Sequence, residues 1–428
     1  MLSPPAHASL PDAAGFGARG VALANGGSAA AIDYTATFYN PAGLALSETT
    51  SLGLGYTAFN PDVRVNGRSP DLKAARGATF GLAVPFAFSK PLPDWSFGAG
   101  LGLFLPDSLL VSVRLKPPST PRFPAFDHRL HRIWITTALA ASYKKSVALG
   151  LGTSILADVA GTGADLDLSL DLNQIADPSA QRARARLDVD IKTRVGVVAS
   201  AWWRAASAFD LAITYRAALA IDNEFRTFAK IQTGILNGDV SILFKDVEYY
   251  TPHTLTLAAA WRPTSSLTLF ADFVLSLWGL APKPVPDVSL AVNLGTPDPT
   301  APLVLQPGDG DYWNTISIRL AVEWTARFSR TITHTLRGGI AYEPTPVPPQ
   351  RGLLTLIDSD RYAFTFGSGF LFSGFSEIFK EPLSIDWALR VDWLTDRTTT
   401  KDDPTTPVPR FTAGGFIVGG AITTTVRF

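Results

Sequence analysis

Side chains able to exchange protons near neutral pH are scarce in this chain. The five histidines are His7, His128, His131, His253 and His334, and His128 with His131 is the one pair close enough in sequence to act together. Acyl hydrolysis needs a nucleophile with a base in hydrogen-bond reach, yet neither a Gly-x-Ser-x-Gly elbow nor a His-Glu-x-x-His motif accompanies that pair. With no cysteine in 428 residues, disulfides, thiolate catalysis and Cys-based zinc sites are excluded. The sequence therefore offers no catalytic residue, no metal site and no cofactor site. Its remaining chemistry is charge on strands: Lys192, Arg194, Arg319 and Arg390 share faces with Asp188, Asp190, Glu323, Asp386 and Asp392. In a wet interior those carboxylates neutralise the bases.

The elements carrying these charges alternate with period two. In LSIDWALRVDW, Leu383, Ile385, Trp387, Leu389, Val391 and Trp393 fall on one face and Ser384, Asp386, Ala388, Arg390 and Asp392 on the other. NTISIRLAVEWT repeats this with Ile316, Ile318, Leu320, Val322 and Trp324 opposite Ser317, Arg319, Ala321, Glu323 and Thr325, and LDVDIKTRVGVV does so again. Such runs exceed the usual soluble strand. They suit a tilted membrane strand of about 9 to 11 residues with an extension past the lipid.

Composition agrees. Basic and acidic residues balance at 37 each, charged residues make up 17% and hydrophobic ones 46%. Without a basic stripe, nucleic acid is excluded as a partner. The 32 prolines and 35 glycines argue against long helices, and no apolar run reaches the ~18 residues of a spanning helix.

The alternation places strands near 51–60, 77–88, 95–105, 130–143, 146–158, 187–203, 207–220, 247–262, 266–280, 313–327, 334–343, 360–371, 383–395 and 415–428, fourteen in all. Short connections alternate with long ones rich in Pro, Asp, Thr and Gly. Outer-membrane barrels show that segregation, with turns in the periplasm and loops outside; a soluble sandwich has no reason to. Trp95, Trp203, Trp261 and Trp324 fall near periplasmic strand ends, and Trp278, Trp313 and Trp393 near external ends, as interfacial girdles require. By parity Trp278 and Trp313 fall on the inner face, so either the register slips there or those rings point inward. The fold class expected is all-β, a 14-stranded antiparallel transmembrane β-barrel over residues 49–428 in the bacterial outer membrane.

Residues 9–48 break the alternation with small residues that cannot build a core of their own. They read as an N-terminal plug inside the lumen containing short helices. Asn40 is a favoured N-cap and Pro41 suits the first helical position, with Phe38 and Tyr39 packing in front. Residues 1–8, with Ala6-His7-Ala8, read as a signal-peptide remnant. The stretch GARGVALANGGSAAAIDYTATFYNPAGLA, with Asn40-Pro41-Ala42 at its Asn-Pro-Ala motif, resembles the hatch of the FadL-type outer-membrane transporters (OMPP1/FadL/TodX). PHTLTLAAAWRPTSSLTLFADFVLSLWG (252–279) and RGGIAYEPTPVP with DSDRYAFTFGSG (337–348, 358–369) are similar in pattern to that family. The sequence departs from it in lacking a full preceding signal peptide and in a Pro-rich loop at 281–312.

The resemblance implies passive uptake of long-chain fatty acids or other hydrophobic compounds, gated by Phe38, Tyr39, Asn40, Pro41, Ala42 and Gly43. It also implies lateral release into outer-membrane lipid through a kink in the third strand. Gly98, Gly100 and Gly102, with Phe104, mark the place for a break in the ladder; the plainer alternative is that small residues make room for the hatch. A ligand carboxylate would then look to Lys192, Arg194, Arg319 or Arg390. The C-terminal strand GFIVGGAITTTVRF ends on Phe428, which resembles the signal read by the barrel assembly machinery. A monomer is expected. The rival readings are a general porin and, less favoured, an outer-membrane lipid-modifying enzyme built on His128 and His131.

Overall fold

The structure is a computed structural model. It describes residues 10–70, 72–88, 92–107, 132–171, 182–232, 237–281, 287–293, 303–305, 312–348, 350, 355–374, 382–402, 404–405 and 408–428; within these, 158–171, 182–192, 221–249, 287–293 and 303–305 are described by backbone alone.

The chain begins with short helices α1 (Leu10–Ala14), α2 (Gly17–Ala22) and α3 (Ala36–Tyr39), with 3-10 turns at Ser28–Ala30 and Pro41–Leu46. Strands follow: β1 (Ser51–Val65), β2 (Ala75–Phe86), β3 (Trp95–Pro106), β4 (Ile133–Tyr143), β5 (Val147–Asp171), β6 (Arg182–Ala206), β7 (Phe209–Arg216), β8 (Leu219–Gln232) and β9 (Asn237–Thr251). The second half adds β10 (Thr254–Trp261), β11 (Leu267–Ser276), β12 (Asp287–Asn293), β13 (Leu303–Leu305), β14 (Thr315–Arg327), β15 (Ile332–Glu343), β16 (Arg361–Phe372), β17 (Leu383–Thr400) and β18 (Arg410–Arg427).

Fourteen strands pair antiparallel around a closed wall. β1 through β7 pair in sequence, β7 meets β10, β11 meets β14, and β14 through β18 return to β1. Closure runs from Ser51 opposite Arg427 to Val65 opposite Ala413. Closing the sheet leaves no unpaired edge for lipid to face. The stretches 207–220 and 247–262, expected as single strands, are each divided: β7 and β10 stay in the wall while β8 and β9 form a hairpin beyond it, joined by β12 and β13. β8 also pairs parallel with the far end of β5.

The faces follow the alternation. Ile385, Trp387, Leu389, Val391 and Trp393 are exposed on the outer surface, whereas Ser384, Ala388, Arg390 and Asp392 are buried inside. Trp95, Trp203, Trp261 and Trp324 point outward at the short-turn end. Trp313 is exposed too, because it precedes β14 and escapes that strand's parity. Trp278 turns inward against Tyr250 and Tyr312.

The N-terminal helices fill the bore. Leu10, Ala14, Ala18, Val21 and Ala22 pack with wall residues such as Phe59, Phe104, Trp134 and Ile417. Three helices of six residues or fewer leave many backbone groups unpaired among themselves, and wall side chains supply partners. Asp272 on β11 accepts the N–H groups of Gly27 and Ser28 at 3.1 Å each, Trp202 Nε1 donates to Ala29 O at 2.9 Å, and Thr423 Oγ1 accepts from Ala18 N at 2.9 Å. Gly53 and Gly81 are adjacent on β1 and β2, and a side chain at either would overlap the Tyr34 ring.

Candidate functional site

Between the hatch and the long-loop end of the barrel lies a chamber of about 180 Å³. Its floor is hatch: Asp12, Asn25, Ser28, Phe38 and Tyr39. Inward positions of β7, β10, β11 and β14 bring hydroxyls, including Thr214, Thr256, Ser276 and Ser317, and the roof is Trp278 with Pro344, Pro346 and Val347. A second pocket of about 200 Å³ lies on the other side of the hatch, lined by Arg19, Thr325, Thr335, Arg337, Asp386 and Thr425 among others. The hatch separates the two.

Three arginines define the electrostatics of the chamber. Arg216, the last residue of β7, reaches Asp12 Oδ1 with Nη1 at 2.6 Å, donates Nη2 to Phe38 O, and lies 4.2 Å over the Phe38 ring, a cation–π distance. Arg319 on β14 donates Nη1 to Asn25 O at 3.0 Å and reaches Glu343 at 3.3 Å. Arg361 pairs with the other oxygen of Glu343. Asn25 Nδ2 in turn donates to Asp12 O at 2.8 Å, so both arginines converge on one corner of the hatch. The Nε donors of Arg216 and Arg319 are buried without an acceptor among the described residues. Burial pushes the Tyr39 phenol up to about 12, so it stays neutral and accepts from Phe16 N at 2.9 Å. In the loop after β15, burial pushes the Asp358 carboxyl up to about 6.

Phe38 and Tyr39 therefore face the chamber, while Asn40, Pro41, Ala42 and Gly43 lie behind it against the wall. The Pro41–Leu46 helix is 3-10, with Pro41 in first position as expected, but Asn40 does not cap it through its side chain. That side chain is fully buried and neither of its polar atoms has a partner among the described residues. Ala42 N donates instead to Ser200 Oγ on β6 at 2.8 Å. A side chain at Gly98 would overlap the Leu44 backbone, one at Gly100 would crowd Thr37 and Leu44, and one at Gly102 would crowd Thr136 and Thr37. These glycines seat the hatch on β3. The expected break in the ladder is not present in this state: β3 pairs residue for residue with β2 over Phe97–Pro106 and with β4 over Trp95–Phe104. Phe104 is buried in the hatch–wall core.

Of the four bases anticipated for a carboxylate, Arg319 lines the chamber. Arg390 is buried elsewhere, bonded to Asp392 at 2.9 Å and to Ala14 O at 3.3 Å, and so anchors α1. Arg194 is exposed and donates to Ala220 O at 2.9 Å. The Lys192 side chain lies outside the described residues, as do His128 and His131. Arg216, Glu343, Asp358 and Arg361 were not anticipated, while Trp278 takes the inward orientation that was one of its two expected readings. Strand parity marks some of them as inward, but inwardness does not say which inward charges meet one cavity.

The profile of the outer membrane protein transport protein family (OMPP1/FadL/TodX) matches residues 4–279. Among curated proteins none matches the chain. Among solved structures it is similar to a Pseudomonas aeruginosa FadL homologue, at 15% identity and TM-score 0.58 over 96% of this chain and 98% of that one. It is also similar to the Ralstonia pickettii toluene transporter TbuX (15%, TM-score 0.53, 97% and 99%) and the Pseudomonas putida toluene transporter TodX (14%, TM-score 0.54, 97% and 99%). The closed barrel, the filled bore and this match agree: the chain belongs to the OMPP1/FadL/TodX family, and it is a FadL-type β-barrel transporter of hydrophobic compounds in the outer membrane.

Proposed function

We propose that this protein admits small hydrophobic molecules passively from outside, holds them in the chamber above Phe38 and Tyr39, and releases them when the hatch shifts. The observation carrying this reading is the hatch between two cavities, bonded to the wall by individual hydrogen bonds and not by a covalent link. A chamber of about 180 Å³ is near the ~150 Å³ that accommodates benzene in an engineered apolar cavity of another protein, so it favours a compact molecule over a stretched acyl chain. Catalysis plays no part in the reading.

Release is lateral, beside β3. Supporting this, the pocket below the hatch is lined by threonines and by Arg19, Arg337 and Asp386, a poor path for a molecule that gains ~25 cal/mol for each Å² of apolar surface kept from water. Gly98 puts the hatch backbone at Leu44 directly on β3, and Gly100 and Gly102 seat the Thr37 and Leu44 side chains, so a hatch shift uncovers this strand, and parting of its ladder from β2 then opens a way to lipid.

The chain has no cysteine, so paired substitutions make clean locks. A disulfide in an Ala42→Cys, Ser200→Cys variant should abolish uptake of labelled toluene and oleate, with reductant restoring it; full uptake in the oxidised state would sink hatch gating. Leu82 and Leu101 are directly opposed on β2 and β3, within disulfide reach. A disulfide in a Leu82→Cys, Leu101→Cys variant should stop uptake of labelled toluene, and uptake at the rate of the reduced protein would refute an exit between β2 and β3.

A further inference from the structure

The chamber is apolar over most of its lining, as pockets for apolar molecules are, but the hydroxyls of Thr214, Thr254, Thr256, Ser276, Thr315 and Ser317 interrupt it, beside three arginines. The carboxylates are already engaged: Asp12 with Arg216, Glu343 with Arg319 and Arg361, and Asp358 with the Thr345 hydroxyl at 2.7 Å. Among the described residues, the chamber's unpartnered buried groups are the Nε–H donors of Arg216 and Arg319, together with the Asn25 Oδ1 acceptor and the Thr214 hydroxyl. A buried donor without an acceptor costs about as much as a lost hydrogen bond, and bare hydrocarbon supplies no acceptor. Phe38, Tyr39 and Trp278 are aromatic lining residues, and the volume suits one ring with a small substituent.

Building on the transport reading, we infer that the preferred cargo is a monoaromatic carboxylate, its ring against Phe38 and Trp278 and its anion on Arg216 and Arg319. The same guanidinium groups hold the hatch: Arg216 grips Asp12 and Phe38 O, and Arg319 grips Asn25 O. An arriving carboxylate competes with Asp12 for Arg216 and draws both arginines off the hatch. Cargo and hatch thus share one set of donors, so occupancy loosens the gate. A neutral hydrocarbon makes no such exchange.

Equilibrium dialysis of the purified full-length protein in nonionic detergent, with labelled benzoate, benzyl alcohol and toluene each corrected for micelle partitioning, tests this. Benzoate should bind at least about tenfold tighter than benzyl alcohol, the factor expected of a charge-assisted hydrogen bond over a neutral one. Arg216→Gln and Arg319→Gln should each erase most of that preference. Asp12→Asn, which removes the competing carboxylate and keeps the side chain's size, should raise benzoate affinity severalfold. Benzoate should also slow disulfide closure in the Ala42→Cys, Ser200→Cys variant. Equal binding of the three probes, or a benzoate preference that survives Arg216→Gln, overturns the inference. Toluene uptake by porin-deficient cells separates the two claims. If cells expressing the protein take up toluene while dialysis shows no benzoate preference, the cargo inference fails and transport stands; if they take up neither toluene nor benzoate, both fail.

Discussion

Arg19 of the hatch and Glu323 of β14 form an ion pair across the hatch–wall boundary, with Nε 3.0 Å from Oε2. The same oxygen receives Arg337 Nε at 2.7 Å, and Arg337 reaches Asp386 at 2.6 Å. One hatch cation is thereby tied into a ladder of wall charges on β14, β15 and β17.

Removing the central carboxylate should loosen the hatch and spare the barrel. Breaking a fully buried pair costs about 3–5 kcal/mol; these side chains keep some exposure, at 23% and 17%, so about 1–2 kcal/mol is expected for Glu323→Gln. Tryptic cleavage after Arg19 should then quicken by roughly five- to thirtyfold, since about 1–2 kcal/mol shifts a local opening equilibrium by that factor. Heat-modifiable gel migration should be unchanged. Cleavage at the original rate would show that the pair does not hold the hatch.

The seat of Tyr34 is steric. Gly81→Val should keep the wall intact, because its backbone pairing needs no glycine, while the added atoms collide with the Tyr34 ring. Planar-bilayer recordings should show a raised, noisy conductance in Gly81→Val, and Tyr34→Ala in the same background should return it toward the quiet state. A quiet Gly81→Val channel would mean that the ring moves aside at little cost.

Much of the wall was legible because period two is enforced by lipid on one side and hatch or water on the other: the outward set from Ile385 to Trp393 follows directly. The hatch was legible from its small residues, since Ala18, Ala22 and Ala36 pack closely only where no large core is needed. Three features were not. β3 carries glycines that suit either a bulge or a close neighbour, and only the position of Leu44 decides between them. Asn40 has the residue type of a cap, but a 3-10 helix against Ser200 leaves its side chain without a bond. Arg390 and Arg319 share a parity and differ in function, because one lies under α1 and the other opens onto the chamber. Parity fixes a side chain's face and not its height along the bore.

Loop closure over the chamber should depend on pH through Asp358. Burial raises its folded pKa from 3.8 to about 6, so the protonated form favours the docked loop. That contribution is full below about 3.8 and is lost as pH rises through about 6. The loop amides of Thr345 and Val347, bonded to Asp360 and to the Thr345 hydroxyl, should be better protected from hydrogen exchange at pH 5 than at pH 7.5 after correction for intrinsic rates. Asp358→Asn, which mimics the neutral acid, should hold the protected state at both. Protection that rises with pH in the unmodified protein would reverse the sign and refute the argument.

Insertion into lipid should be graded by depth along β17. Leu389 lies on the outer face at 57% exposure, four residues short of Trp393 and two past Trp387, while Val391 is one outward step nearer the Trp393 ring. An arginine at the bilayer midplane costs about 2–4 kcal/mol and falls toward about 0–1 at the interface, so Leu389→Arg should destabilise more than Val391→Arg in reversible folding titrations into lipid vesicles. Ser265→Arg, at an exposed position in the short turn between β10 and β11, should change stability by less than about 0.5 kcal/mol. Ala388 is no neutral inward control, since it packs at 2% exposure in the hatch–wall core, where an added bulky side chain costs about 1–3 kcal/mol by overpacking. Equal costs at Leu389 and Val391 would place the membrane elsewhere along the barrel than the tryptophan girdles do.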